Sequence, residues 1–234
     1  MILGNVIKFI NISDSAIRET RHSTMTTPTP GRKDAYMLRA RARYLRAAEE
    51  VIATSGPNAT IEQFALHTDV AVATLYKHFG SKDGLIKAAM LDARQKWEAW
   101  QFEVLSQLND PLEQLVLGLR LAHRIGTTHP TLAVVIGRGR AAGYFDPIEL
   151  GETFFTHARA LATAGIISGD HLELRCQSVI SAVAAEGARQ LASDADPAEG
   201  DQVVEIVLPL LGITPAKAKL LAHSALPEFP PPAR

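Results

Sequence analysis

The stretch from Thr60 to Lys82 concentrates side chains that donate to oxyanions. Tyr76, Lys77 and His78 put a hydroxyl, an ammonium and an imidazole N–H within one helical turn, and Lys82 follows shortly after. Such donors suit phosphate oxygens. Just upstream, Val72, Ala73 and Thr74 offer small apolar groups and one hydroxyl. Groups of this kind touch a thymine methyl or bond a base edge. Arg39, Arg41, Arg43 and Arg46, preceded by Arg32 and Lys33, form a basic run. It reads either as a solvated face or as an arm along a phosphate backbone, with Arg43 a candidate for contact. Arg46 has Glu49 and Glu50 one turn away as competing partners.

These side chains do their work only if short helices hold them at a fixed angle. Thr60-Ile61-Glu62-Gln63 has the form of a capping box and opens one helix, which carries Ile61, Phe64, Ala65 and Leu66. It breaks at Thr68-Asp69-Val70, and a second short helix runs from Val72 to Phe79, stopped by Gly80. Two short helices with so tight a turn form a helix-turn-helix. Phe64, Ala65, Val70, Leu75 and Phe79 are its expected core, with Ala65 small enough for a close helix crossing. Asp69 stands where the turn needs a left-handed residue, a place Gly fills best and Asp tolerates. Ser81 then caps a long helix from Lys82 to about Leu108, closed by Asn109-Asp110-Pro111. Its free N-terminal N–H groups, beside Lys82, are an anion site. Ahead of all this, Leu38, Ala42, Leu45, Ala48 and Ile52 form one apolar stripe of a helix that starts near Asp34 and ends before Gly56-Pro57.

Taken together, these residues resemble the DNA-binding domain of the TetR (tetracycline-repressor-like) family over about residues 38–90. The resemblance is carried by Thr60, Phe64-Ala65, Val70, Leu75-Tyr76-Lys77-His78-Phe79 and Ser81-Lys82-Asp83-Gly84-Leu85. Two positions depart from the family pattern: Asp69 replaces the usual turn glycine, and Ala71 the usual Ser/Thr cap of the recognition helix. Gly84 stands where a stronger helix former is usual, which predicts a softened hinge between domains. The resemblance implies a homodimer that binds a palindromic operator in duplex DNA. It also implies C-terminal helices that form the dimer interface and a small-molecule pocket whose ligand releases the DNA. Arg43, Thr60, Val72, Ala73, Thr74, Tyr76, Lys77, His78 and Lys82 are the expected DNA-binding residues.

The rest of the chain sets the frame. Of 234 residues, 47% are hydrophobic, enough for a sizeable core. Residues 1–90 carry 12 Lys/Arg against 8 Asp/Glu, and residues 91–234 carry 12 against 17, a polarity that suits an N-terminal module facing a polyanion. Residues 1–33 read as a flexible extension ending in Thr26-Thr27-Pro28-Thr29-Pro30-Gly31. Residues 34–84 are the expected DNA-binding domain, 85–226 a helical ligand-binding and dimerisation domain, and 227–234 a Pro-rich tail. Helices are expected near 111–125, 130–142, 147–164, 170–192 and 198–212, with a short one after Thr214-Pro215; the fold class is all-α.

Chemistry beyond binding has little support. Cys176 stands alone, which excludes an intramolecular disulfide and any multi-cysteine metal site. His123 and His129 are six residues apart, which fits no helical metal pair, so no metal and no cofactor is expected. No nucleophile motif, phosphate loop or dinucleotide turn appears. An enzyme using a C-terminal pocket, or a helical adaptor with a structural helix-turn-helix, remains the competing reading. Trp97, Trp100, Arg120, His123, Tyr144, Phe154 and His157 are candidates to line a pocket for a largely apolar small molecule. Apolar and small residues between about 170 and 212, among them Val179, Val183, Ala184, Ala185, Gly187, Ile206 and Leu210, suit a self-association interface. No apolar run spans a membrane, and Met1–Ile10 lacks a basic n-region, so a cytoplasmic protein is expected.

Overall fold

The computed structural model describes residues 32–144, 151–193 and 196–230, and every regular element among them is helical. In chain order these are α1 (Arg32–Ser55), α2 (Ile61–Thr68), α3 (Val72–Phe79) and α4 (Lys82–Leu105), then α5 (Pro111–His123), α6 (Ile125–Thr128) and α7 (Pro130–Ala141). They continue with α8 (Glu152–Thr163), α9 (Leu172–Ala192), α10 (Pro197–Val207), a 3-10 turn (Leu208–Leu211) and α11 (Pro215–Ala222). Of the extension expected over 1–33, Arg32 and Lys33 belong instead to α1; residues 1–31, the start of the helix expected from 147, and residues 231–234 of the tail lie outside the described residues.

Side-chain chemistry explains most helix boundaries. Asp110 accepts hydrogen bonds from the N–H groups of Leu112 and Glu113, and Pro111 occupies the first turn of α5 where no N–H is needed. Asp196 caps α10 in the same way, again with Pro in the first turn. The α4 helix ends at Leu105, three residues earlier than expected. Gln114 satisfies the freed carbonyls by donating to Leu105 and Leu108 at 3.3 and 2.8 Å. Pro209 has no N–H to give, so the stretch expected to stay α-helical to 212 tightens into the 3-10 turn after Val207. The helix expected over 111–125 divides at Arg124 into α5 and α6.

Two main cores result. In the N-terminal core, Leu45, Ala48 and Ile52 of α1 pack with Phe64 and Ala65 of α2, Leu75 of α3, and Leu85, Ile86, Ala89 and Met90 of α4. Val135 of α7 joins them, and Arg138 Nη1 donates to the Ile52 carbonyl at 3.1 Å. The N-terminal core therefore runs past residue 84 into α4 and draws on α7. The stripe expected along α1 is buried only in its later turns. Leu38 is 60% exposed and Ala42 is exposed, because the early turns extend past the helices that cover the rest. The C-terminal core gathers α5, α8, α9, α10 and α11 around Leu119, Leu161, Val179, Val204 and Leu208.

Candidate nucleic-acid interface and helical-domain cavities

The helix-turn-helix is built from its caps inward. Thr60 Oγ1 accepts from the Gln63 N–H at 3.4 Å and Gln63 Oε1 accepts from the Thr60 N–H at 2.7 Å, a reciprocal capping box. At the far end of α2, Asp69 adopts φ 51° and ψ 50°, the left-handed region, and its N–H closes the helix onto Ala65 and Leu66. Ala71 gives α3 no side-chain cap, so the N-terminal N–H groups of the recognition helix are left without one. Leu75 is buried beneath α3 and Phe64 beneath α2, which sets the angle between them.

That packing decides which side chains face outward. Ala73, Tyr76 and Lys77 are exposed, Val72 and Thr74 are half-buried, and Thr60 is exposed at the start of α2. Tyr76 remains 44% exposed. Two of the expected contact residues are held by the protein itself. The His78 ring stands edge-on to Tyr44 with centroids 5.2 Å apart, and Lys82 Nζ donates to the Ala59 carbonyl at 3.2 Å. Arg43 is exposed on α1, its guanidinium 5.5 Å from the Tyr44 ring. Its neighbour Arg41, missed as a positioning residue, donates to the His78 carbonyl at 3.2 Å and lies 4.6 Å over Phe79. It thereby fastens α1 to the end of the recognition helix.

Gly84 has a different reason from the softened hinge expected of it. A Cβ at this position would run into the Phe79 carbonyl, so the first turn of α4 can approach the end of α3 only with glycine there. Ser81 Oγ accepts from the Gly84 N–H at 2.9 Å, which ties the same junction.

Residues 45–89 match the family described as bacterial regulatory proteins, tetR family. This domain is of the TetR family. No protein with a curated function matches the chain by sequence. Solved structures share its fold. RolR in complex with resorcinol is 21% identical, over 82% of this chain and 97% of that one, with a TM-score of 0.59. A TetR transcription regulator from Haloarcula marismortui is 15% identical over 75% and 97%, at 0.59. A gamma-butyrolactone receptor is 18% identical over 79% and 95%, at 0.55. The helix α4 joins the helix-turn-helix to the helical domain, and its second half walls cavities there.

An apolar cavity of about 340 Å3 lies between α4, α7 and α9, with Trp97, Ile125, Ile136, Ile180, Val183 and Leu191 in its lining. This is within the size range that holds drug-sized ligands, roughly 300–1,000 Å3. Its charged lining residues neutralise one another, since Arg94 Nε donates to Glu98 Oε1 at 2.7 Å. A smaller cavity of about 80 Å3 adjoins it, with Trp97, Glu98, Ala122 and Ile180 lining both. Gln114, Phe154 and His157 line the small one.

The seven candidate pocket residues therefore divide. Trp97, Phe154 and His157 line these two cavities; Trp100, Arg120, His123 and Tyr144 line neither. Trp100 Nε1 donates to the Pro230 carbonyl at 2.7 Å, and its ring packs edge-on against His129 and Phe229. Residues expected as a loose tail from 227 thus bring Phe229 and Pro230 onto α4. Tyr144 donates to Asp83 Oδ1 at 2.8 Å, far along α4 from the cavity lining. Arg120 and His123 are buried on Asp201 together with Arg124. Burial alone would raise the Asp201 pKa, but the hydrogen bonds from His123, Arg124 and Arg120 prevail and hold the carboxyl well below the usual range. The sequence offers no sign of this cluster, because its members lie about 80 residues apart. Gln114 and Ile125 were likewise hidden in ordinary helical patterning.

Among the described residues, no group of three or more His, Cys, Asp or Glu could hold a metal ion, and no helix is long and apolar enough to cross a membrane. Burial pushes the Cys176 thiol up to about 11, which makes it a core group rather than a nucleophile.

Proposed function

We propose that the protein is a ligand-responsive repressor that binds a palindromic operator as a homodimer and is released by a small, largely apolar effector. One observation carries this reading. The helix α4 buttresses the recognition helix at Gly84 and Ser81, and further along walls the 340 Å3 cavity with Trp97 and Glu98. A ligand that displaces the second half of α4 would displace the recognition helix with it. Two half-sites about one helical turn (~34–36 Å) apart are matched by one dimer geometry only, so a modest shift suffices. The related fold of a resorcinol-bound protein and a butyrolactone receptor supports a small-molecule effector.

On the DNA side, Val72, Ala73 and Thr74 face base edges, while Lys77, Tyr76 and Thr60 reach phosphates. Arg43 lies along the backbone, and the Lys82 helix terminus adds an anion site. His78 acts chiefly through its packing on Tyr44. For the dimer, much of the expected interface stripe is internal core, including Cys176, Val179 and Val183. The face of α9 left outside carries Leu174, Ser178, Ser181, Ala185 and Ala188 at helical spacing, and α10 presents Ile206, 72% exposed. Small residues on one helix beside an exposed isoleucine on the next allow two copies to approach closely in a four-helix interface.

The test is fluorescence anisotropy of the purified full chain on its own upstream intergenic DNA at two salt concentrations, with unrelated DNA as control. Sequence-preferring binding that weakens steeply with salt is expected. Equal, salt-insensitive or absent binding across candidate fragments would remove the regulator reading in favour of an adaptor or an enzyme.

A further inference from the structure

The small cavity is unlike the large one. It is lined by three residues that each bury a polar atom without a hydrogen-bond partner: Trp97 Nε1, Gln114 Oε1 and His157 Nε2. Orphaned buried polar atoms are rare and costly, and three around one chamber point to a missing group. Their chemistry is specific. An indole N–H only donates and an amide oxygen only accepts. The third orphan, His157 Nε2, belongs to a ring whose pKa burial lowers. The chamber thus presents an indole donor and an amide acceptor beside an imidazole nitrogen, against a largely apolar body site next door.

Resting on the reading of the large cavity as the effector chamber, we infer that the effector is an uncharged amphipathic molecule with one hydroxyl head. Its apolar body fills the 340 Å3 cavity and its head enters the 80 Å3 chamber between Trp97, Gln114 and His157. A hydroxyl accepts from Trp97 Nε1 and donates to Gln114 Oε1, which no ether or hydrocarbon does. A carboxylate would face the Gln114 amide oxygen, and the cationic wall residue Arg94 is already neutralised by Glu98. Trp97 is the pivot, because it lines both chambers and its buried N–H has no partner.

The test is calorimetric titration of the full chain with three probes of one shape: 4-butylphenol, butylbenzene and 4-butylbenzoate. 4-Butylphenol is expected to bind about tenfold tighter than butylbenzene, as one recovered buried hydrogen bond gives, and 4-butylbenzoate weakest. Trp97→Phe keeps a ring and removes the N–H, so it should erase most of the phenol's advantage over butylbenzene measured on the same variant, whatever the change in wall does to both probes alike. If thermal melting shows Trp97→Phe misfolded, His157→Leu provides the same comparison. Equal affinities for phenol and hydrocarbon, tightest binding of the benzoate, or a phenol preference untouched in the folded variants would overturn the hydroxyl-head inference while leaving the effector chamber standing. A phenol preference without any change in DNA affinity would overturn the chamber's regulatory role and leave the inference. Failure of all three probes to bind would overturn both.

Discussion

At the residue scale, the exposed charges and the buried ones act in opposite regimes. Lys77 is exposed on α3, where its ammonium contributes mainly by displacing counterions from DNA. Lys77→Ala is therefore expected to weaken binding to specific and unrelated DNA alike and to lower the salt slope by about 1. An unchanged slope in the anisotropy titration would remove Lys77 from the phosphate contacts. Asp201 is the reverse case, a buried carboxylate bridging two arginines and a histidine. Asp201→Ala strands the buried guanidinium groups of Arg120 and Arg124, which should cost about 3–5 kcal/mol in chemical denaturation. Because the folded-state pKa is depressed, this contribution is complete above the ordinary carboxylate pKa of about 3.9 and is lost as the pH falls below it. The wild type should accordingly lose stability more steeply than the variant between pH 5 and 3.

At the element scale, the recognition helix carries the chief weakness of the DNA-binding domain. Ala71 leaves α3 uncapped, whereas α2 has a full capping box and α4 a serine cap. Ala71→Ser is expected to add about 0.5–2 kcal/mol of stability to the N-terminal domain, read as slower amide exchange in α3. No change in α3 exchange would mean that burial of Leu75, rather than its terminus, limits the helix. The α3–α4 junction is the stiff counterpart. Its glycine is dictated by contact with the Phe79 carbonyl and by the Ser81 cap, so motion of α4 passes to α3 without slack.

At the scale of the whole molecule, the outer faces of α9 and α10 carry Leu174, Leu191 and Ile206 among the exposed apolar groups. Ile206→Glu places a charge where two copies would meet. Light scattering should then report a monomer in place of a dimer, and operator affinity should fall roughly 100-fold or more as two half-site contacts become one. A variant that stays dimeric would move the interface elsewhere. The closing segment acts at this scale too. Phe229 and the Pro230 carbonyl cover Trp100 on α4, so these two residues are packed against the helix that links the two domains.

The sequence by itself determined the all-helical fold and the helix-turn-helix. These depend on local rules: capping at Thr60, the left-handed turn at Asp69 and the spacing of Phe64 and Leu75 act within about twenty residues. Only the tertiary structure decided the rest, because it depends on pairs distant in the chain. Trp97 and Trp100 are three residues apart on one helix, yet one lines a cavity and the other lies beneath the C-terminal segment. Arg120 and His123 had the chemistry of ligand groups until Asp201, about 80 residues on, occupied them. Helical periodicity tells which side chains turn inward; it does not tell what they meet there, and that meeting separates a binding group from a structural one.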